Sequence, residues 1–446
     1  MKNVQLPDFY YLDNFTQLID YVFDKHKSIL RPKDIDDYNH FSSLSRNAKG
    51  LYVRFLMRKG SYFRPKKVSY SEIPNLNECL KELELIDFIS WDVAVTEKIK
   101  LFTKAELSKL FPKEYDSKLV RVDLEEALLV SISEIPEKVL EIQKDFKVFT
   151  LLYFGNLNQD LSEFILNDLG IYKYEKYDLS HGFINSIQEL EEFLNFYMVL
   201  SEYDRDQAFE FFNNYLIIKS TNTVLKRRLD KFHFSFARQL ERHKHFEEAL
   251  EIYSLSKRSG ERQARVLASL KKYDQMEIKC LQMLRLSQND QEKDFAEFFL
   301  FKNSKFLSKT YDKLQVYIPP TEYLELDKTE LSVERAACEY YTQFGHCYYA
   351  ENLWANALFG LFFWPVIFAN VPGAFSHPFQ HRPHDLYETD FCENRKTQIH
   401  ELMEKPFTWA QAEKVYESKF GFSNPFVNWS AINKDYLNLA LENFAQ

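Results

Sequence analysis

A chain of 446 residues is too long for one hydrophobic core and has room for two to four domains. Only 10 glycines, 16% aromatic residues and 28% charged residues describe a folded, helix-rich protein and exclude a disordered one. The formal net charge of −9 argues against blanket affinity for nucleic acid, although net charge hides distribution.

From Tyr11 to Phe111 short helical patterns dominate: "FTQLIDYVFDKHKSIL", "AKGLYVRFLMRKGSYF" and "NLNECLKELELIDFI". A helix ending in a glycine, a β-prone piece ("KVSYSEI"), another helix and the alternating "FISWDVAV" follow a winged-helix order. In "LFTKAELSKLFP", Thr103 and Glu106 have capping-box spacing and Pro112 is the stop. Residues 140–225 read as helical, with a turn at "FGNLNQD". Beyond them, Ala237, Leu240, Phe246, Ala249, Leu250 and Tyr253 fit a helix-turn-helix repeat. "CLQML" recurs about 31 residues after "ALEIY", close to the tetratricopeptide period. Pro319-Pro320 marks a break before the last region. Boundaries are therefore expected near residues 115, 225 and 320.

The stretch 353–371 is apolar and uncharged, long enough in principle for a membrane span. Asn352, Asn356, Asn370, a central Pro365 and the lack of flanking Lys/Arg clusters favour a buried helix instead. Five scattered cysteines (79, 280, 338, 347 and 392) form no C-x-x-C pair, which reads as a reducing interior without a disulfide framework. The first residues show no signal-peptide core, so a cytoplasmic, nucleoid-associated protein is expected.

Two basic islands stand out. Arg54, Arg58, Lys59, Arg64, Lys66 and Lys67 lie together without an acid among them, interleaved with Tyr62 and Phe63. Residues 219–245 form the second island. Each suits a phosphate backbone or a solvated face balanced by acids elsewhere, and the pattern leaves both readings open.

Glu351 opens the apolar stretch, with Glu334 upstream. A carboxylate at the edge of a dry wall suits a divalent cation, while a Glu at a helix start also satisfies the helix dipole. His377, His381 and His384, beside Asp385, have metal-like spacing, but Pro378 and Pro383 break the helix that spacing needs. "ESK" (Glu417, Lys419) imitates a nuclease Glu-x-Lys on a polar helical segment rather than a buried strand. No phosphate-binding glycine loop and no H-E-x-x-H motif is present.

Several segments line up with one family. "GLYVRFLMRKGSYFR", "FTKAELSKLF", "YFGNLNQDLSEFILNDLGIYKYEKY", "FARQLERHKHFEEALEIY" and "WANALFGLFFWPVIFANVPGAFSHPFQHRPHDLYETDF" resemble, in that order, the Fanconi-associated nuclease family in its bacterial form. The resemblance implies a mainly α protein. Its expected parts are a winged-helix/SAP-like DNA-binding region, a tetratricopeptide-like helical region and the start of an α/β VRR-NUC domain of the PD-(D/E)XK type. It further implies phosphodiesterase I-class cleavage near 5′ flaps with Mg²⁺ or Mn²⁺, on branched DNA and with a possible homodimer. Glu351 matches the family's first catalytic glutamate, 13 positions before Trp364. Glu334 matches the first glutamate of an "SVEE"-like helix, and Arg335 departs from the second. Arg262 and Arg265 fall where members carry 5′-phosphate-binding basic residues. The family's Pro-Asp and Glu-x-Lys strand pair is not found before Gln446, so the expectation is a truncated record or a non-catalytic branched-DNA or protein-binding module.

Overall fold

The computed structural model describes residues 7–177, 179, 182–287, 289–313, 320–326, 332–345, 347–388 and 390–444. Pro319, half of the expected Pro-Pro break, lies outside them. The fold is mainly helical, and backbone packing separates two compact units: Met1–Ile187 with Ala357–Gln446, and Gln188–Asn356.

Helices Tyr10–His26, Pro32–Ser43 and Arg46–Leu56 open the first unit. In the first of them Tyr11, Phe15, Leu18, Ile19 and Val22 are buried, the spacing of one helix face. Ser45 caps the third helix by accepting from the Ala48 amide. The core beneath is aromatic. Phe146 contacts the rings of Phe15, Phe41, Tyr52, Phe88 and Phe149 at centroid distances of 5.3–6.2 Å. To reach that place Phe146 takes a left-handed backbone (φ 51°), which costs about 1–2 kcal/mol and is offset by burying the ring.

A small antiparallel sheet completes this region. Its strands are β1 (Tyr62–Phe63), β2 (Ile89–Ser90) and β3 (Leu140–Ile142), in the order β1-β3-β2. Phe63 pairs with Leu140, and Ile89 with Ile142. The central strand thus arrives from beyond residue 115, after helices Val95–Lys100, Lys104–Leu110 and Arg121–Ser131. Those helices share a core of Ile99, Phe102, Leu107, Leu124 and Leu128. The β-prone piece expected at 67–73 is not a strand. Pro65, with its fixed φ and no N–H, starts a 3₁₀ turn at Pro65–Lys67, and pairing moves back to Tyr62–Phe63. The Thr103–Glu106 capping box forms as expected, with both reciprocal bonds present.

The apolar stretch of the C-terminal segment becomes helices Leu353–Phe362 and Trp364–Ile367, with Pro365 in the first turn of the second. Ten helical residues span about 15 Å, half a bilayer core. No helix among the described residues is long and apolar enough to cross a membrane. Leu361, Trp364, Val366 and Ile367 are buried. A Cβ at Gly360 would meet Val427 Cγ2 at 2.7 Å, so that helix and the Phe426–Val427 segment touch only because the side chain is missing. Beneath this layer Arg395, fully buried, donates to both Asp385 oxygens (2.7 and 3.0 Å) and to the Val366 carbonyl (3.0 Å). Removing either partner would strand a charge in the interior, at about 3–5 kcal/mol.

The second unit contains helices Ile187–Glu202 (from Gln188) and Ala208–Asn214, then a consecutive series: Thr223–Arg242, Phe246–Ser254, Gly260–Ser269, Tyr273–Leu286 and Asp290–Asn303. Ala237, Leu240, Ala249 and Tyr253 are buried as the repeat requires, while Phe246 and Leu250 are half-buried. Two turns are built alike. Lys244 and Lys271 are left-handed (φ 67° and 58°), and the next amide bonds back to the carbonyl of Leu240 or Leu267. The structural repeat is therefore about 27 residues and aligns Cys280 with Tyr253, not with Ala249. The sequence spacing misleads because the matched strings lie about one turn out of phase in the trailing helices: Ala249 is the fourth residue of Phe246–Ser254 and Cys280 the eighth of Tyr273–Leu286.

A lysine in a left-handed turn carries strain that glycine lacks. Lys271→Gly is expected to raise the unfolding free energy by about 1 kcal/mol, read as a higher urea midpoint at unchanged slope.

Candidate nucleic-acid interface and carboxylate site

The first basic island separates into two kinds of residue. Arg64 is turned inward. Its guanidinium lies 3.8 Å from the Phe102 ring centre and bonds Glu137 (2.7 Å) and Glu106 (3.0 Å), leaving the side chain 9% exposed. Arg54 bonds Glu72 (2.6 Å) and lies over the Tyr11 and Tyr70 rings. These two hold the surface together. Arg58, Lys59 and Lys66 are exposed and make no ion pair among the described residues. Lys67 is 63% exposed and reaches Glu106 at 3.0 Å. Arg58, Tyr62, Phe63 and Lys67 line a cleft of about 310 Å³ with Arg64 at its wall. An open basic cleft with a half-buried tyrosine has the chemistry of a phosphate track.

The sequence did not show the partners Glu137 and Glu106, because ion pairing across long separations leaves no local pattern. Their electrostatics follow the geometry. The Arg64 hydrogen bond holds the Glu137 carboxyl below its ordinary value, and Arg64 together with the Thr103 amide does the same for Glu106.

The second island is also partly internal. Arg228 donates to the Tyr197 hydroxyl (2.8 Å) over the Phe193 ring, and burial lowers its pKa. Arg262 bonds Glu241, which also accepts from Arg238 (3.0 Å) and from the Tyr253 hydroxyl (2.6 Å). Arg265 pairs with Glu261 (2.8 Å) and stands over Phe295. Arg262 and Arg265, three apart on the Gly260–Ser269 helix, point to neighbouring surface, but each already has a carboxylate.

Glu351 is exposed in the turn before the Leu353–Phe362 helix. Glu351 and Asn352 are both left-handed (φ 36° and 63°), an uncommon pair of strained non-glycine residues. The Tyr349 hydroxyl donates to Glu351 Oε2 at 2.7 Å. That bond, then desolvation and the Glu351 and Glu334 charges, raises the Tyr349 pKa, so both carboxylates lie in range of one phenol. A divalent cation is not accommodated by these residues alone. Among the described residues, no group of three His, Cys, Asp or Glu can hold a metal ion.

The histidine cluster is an internal hydrogen-bonded loop. Gln380 Oε1 accepts from the Ser376 and His377 amides, Ser376 Oγ approaches His384 Nε2 at 3.1 Å, and His377 Nδ1 accepts from the Phe379 amide. Burial, with His384 and His381 nearby, pushes the His377 pKa down to about 3. Tyr177 locks the loop by accepting from the Gln380 amide (2.8 Å) while its ring stacks on Phe375. In the "ESK" segment, helix Trp409–Lys419, Glu417 pairs with Lys434 and Lys419 with Glu175. Glu175 also accepts from the Trp364 indole at 2.9 Å.

Glu137 yields a pH test. Its folded pKa lies below its unfolded one, so the Arg64 bond contributes fully above about pH 4.5 and is lost as pH falls from there through the folded value. At pH 7, Glu137→Gln is expected to cost about 1 kcal/mol, screened by partial exposure. In denaturant titrations that difference should shrink as pH falls below about 4.5 and be gone once pH is below the folded value.

Residues 9–90 match the family described as "FAN1, HTH domain". The chain is 29% identical to a Fanconi-associated nuclease 1 homolog of Pseudomonas aeruginosa, over 98% of this chain and 83% of that protein. A homolog from Arabidopsis thaliana is 24% identical over 90% of this chain, which covers 54% of its length. A crystal structure of paFAN1 bound to 5′-flap DNA with a 2-nucleotide flap and a gap superposes with a TM-score of 0.87 at 26% identity, covering 98% of this chain and 85% of that one. A second paFAN1 complex, with a 1-nucleotide flap, gives 0.83 at 25% identity over 98% and 88%. The chain is thus similar along nearly its whole length to a Fanconi-associated nuclease 1 homolog in sequence and to paFAN1 in fold.

Proposed function

We propose that this protein is a structure-specific DNA-repair nuclease acting near 5′ flaps. One observation carries the reading: the chain follows a flap-DNA-bound relative along 98% of its length. Its own residues supply the parts such recognition needs. Arg58, Lys59, Lys66 and Lys67 face the phosphate strand, Tyr62 offers a ring for an unstacked base, and Arg54 and Arg64 hold that surface in shape. Arg262 and Arg265 receive the 5′-phosphate end, where the phosphate competes with Glu241 and Glu261 for their guanidiniums.

Glu351 is the catalytic carboxylate in this reading, held by the Tyr349 hydroxyl. Mg²⁺ or Mn²⁺ is the cofactor class that goes with the reaction, and the described residues assign no step to it. A second reading, branched-DNA binding without cleavage, rests on the open basic cleft, which suits a phosphate strand whether or not it is cut.

A labelled 5′-flap duplex incubated with Mn²⁺ separates the two: cleaved strands support the nuclease, and a shifted but intact duplex supports the binding module. Where cleavage occurs, Glu351→Ala is expected to reduce it roughly 100-fold or more without weakening binding. Cleavage that survives the substitution removes Glu351 from the site.

Charge reversal at Arg58, Lys59 and Lys66 tests the cleft. Each lost phosphate contact should flatten the slope of log affinity against log salt by about 0.9, so the triple variant should lose close to 3. An unchanged slope would show that DNA takes another path.

A further inference from the structure

The second unit carries a groove that shares no residue with the basic cleft. Its two walls are helix faces. Asn195, Met198, Val199 and Glu202 recur at i, i+3, i+4 and i+7 on helix Ile187–Glu202. Gln207, Glu210, Phe211 and Asn214 repeat that spacing on helix Ala208–Asn214 and its N-cap. The groove holds about 500 Å³, the size of a binding site rather than of a packing defect.

The walls are fixed from behind. The Phe211 ring centre lies 5.1 Å from that of Tyr203 and 5.3 Å from that of Phe236. Tyr215, also in the lining, shares a 2.8 Å hydrogen bond with His233 Nε2. Apolar surface nevertheless stays open, with Met198 55% and Leu216 85% exposed. The charge is of one sign. Glu202, Asp204 and Glu210 line the groove, no Lys or Arg does, and none of the three carboxylates forms an ion pair among the described residues. Arg205, in the loop between the helices, is outside the lining and is flanked by Asp204 and Asp206.

We propose that this groove is the docking site for a short helix of a partner protein that carries Lys or Arg beside bulky apolar side chains. Charge complementarity selects the occupant. Unanswered carboxylates repel a phosphate strand and attract cations, most strongly next to apolar surface that excludes water. Length selects the helix. Each wall face covers about two turns, roughly 10 Å, which matches the i, i+3, i+4 and i+7 anchors of an amphipathic helix laid in a groove. Met198 and Leu216 take the apolar anchors, and the three carboxylates take the flanking cations. The docking concerns this unit alone and holds whether or not the chain cuts DNA.

Selection of a random peptide library, roughly 12 residues or three helical turns long, on the purified full chain tests this. A synthetic copy of the most enriched sequence is then titrated by fluorescence anisotropy. The enriched sequences are expected to place Leu, Phe or Trp three or four positions from Lys or Arg. Leu216→Ser should weaken the synthetic peptide about tenfold. The triple change Glu202→Gln, Asp204→Asn and Glu210→Gln should weaken it by at least as much and flatten its salt dependence. All four positions are exposed, and an unchanged far-ultraviolet circular dichroism spectrum shows that both variants fold. No enrichment, enriched sequences without a basic residue, or affinity unmoved by either variant would overturn the proposal. So would a dimer of the chain that Leu216→Ser dissolves, because the occupant would then be a second copy.

Discussion

The N-terminal region depends on a guanidinium that, in sequence, looks like a DNA contact. Arg64 follows β1, packs on Phe102 from the helices beyond, and binds Glu137 just before β3. It therefore joins the two edges of the insertion whose far end returns as the central strand. A partly buried cation needs both carboxylates, and both carboxylates need it. The consequence reaches the surface. With Arg64 and Arg54 satisfied internally, the remaining cations stand on a braced wall, and the proposed phosphate contact would cost less entropy there.

The C-terminal part of the first unit uses chemically suggestive residues in the same architectural way. Three histidines and an aspartate become a loop organised by Gln380 and a bidentate pair with Arg395. The Glu-x-Lys imitation dissolves into two unrelated ion pairs. Burial raises the Glu175 pKa, but the Lys419 and Trp364 hydrogen bonds outweigh it and keep the carboxylate charged inside this layer. Reactive-looking side chains are common wherever a helical layer must satisfy backbone amides without a sheet.

What could be read from the sequence was local. The Thr103 capping box, the buried apolar helix and the inward face of the repeat all follow from spacing within a few turns, and each has its counterpart in the structure. Arg64 was misjudged because its partners lie 42 and 73 positions away, beyond any helical or strand period. Strand β3, three residues long, carries too little alternation to register. The repeat length was overestimated because similar apolar strings recur one turn out of phase in the two trailing helices. Family resemblance, unlike periodicity, reached across these distances. It singled out Glu351 as a candidate, yet could not show the left-handed turn or the phenol that holds it.

The first unit is discontinuous along the chain, and that sets an order of events during synthesis. Glu175 leaves the ribosome early, while Trp364 and Lys419, which claim its carboxylate, are made only after the whole of residues 188–356. The nascent N-terminal part must therefore wait with an unanswered negative charge and an uncovered Tyr177 ring while an independent helical unit is translated and can fold. Closure of the first unit therefore follows translation of the second, and a chain that stops before Lys419 has its second unit whole and its first open.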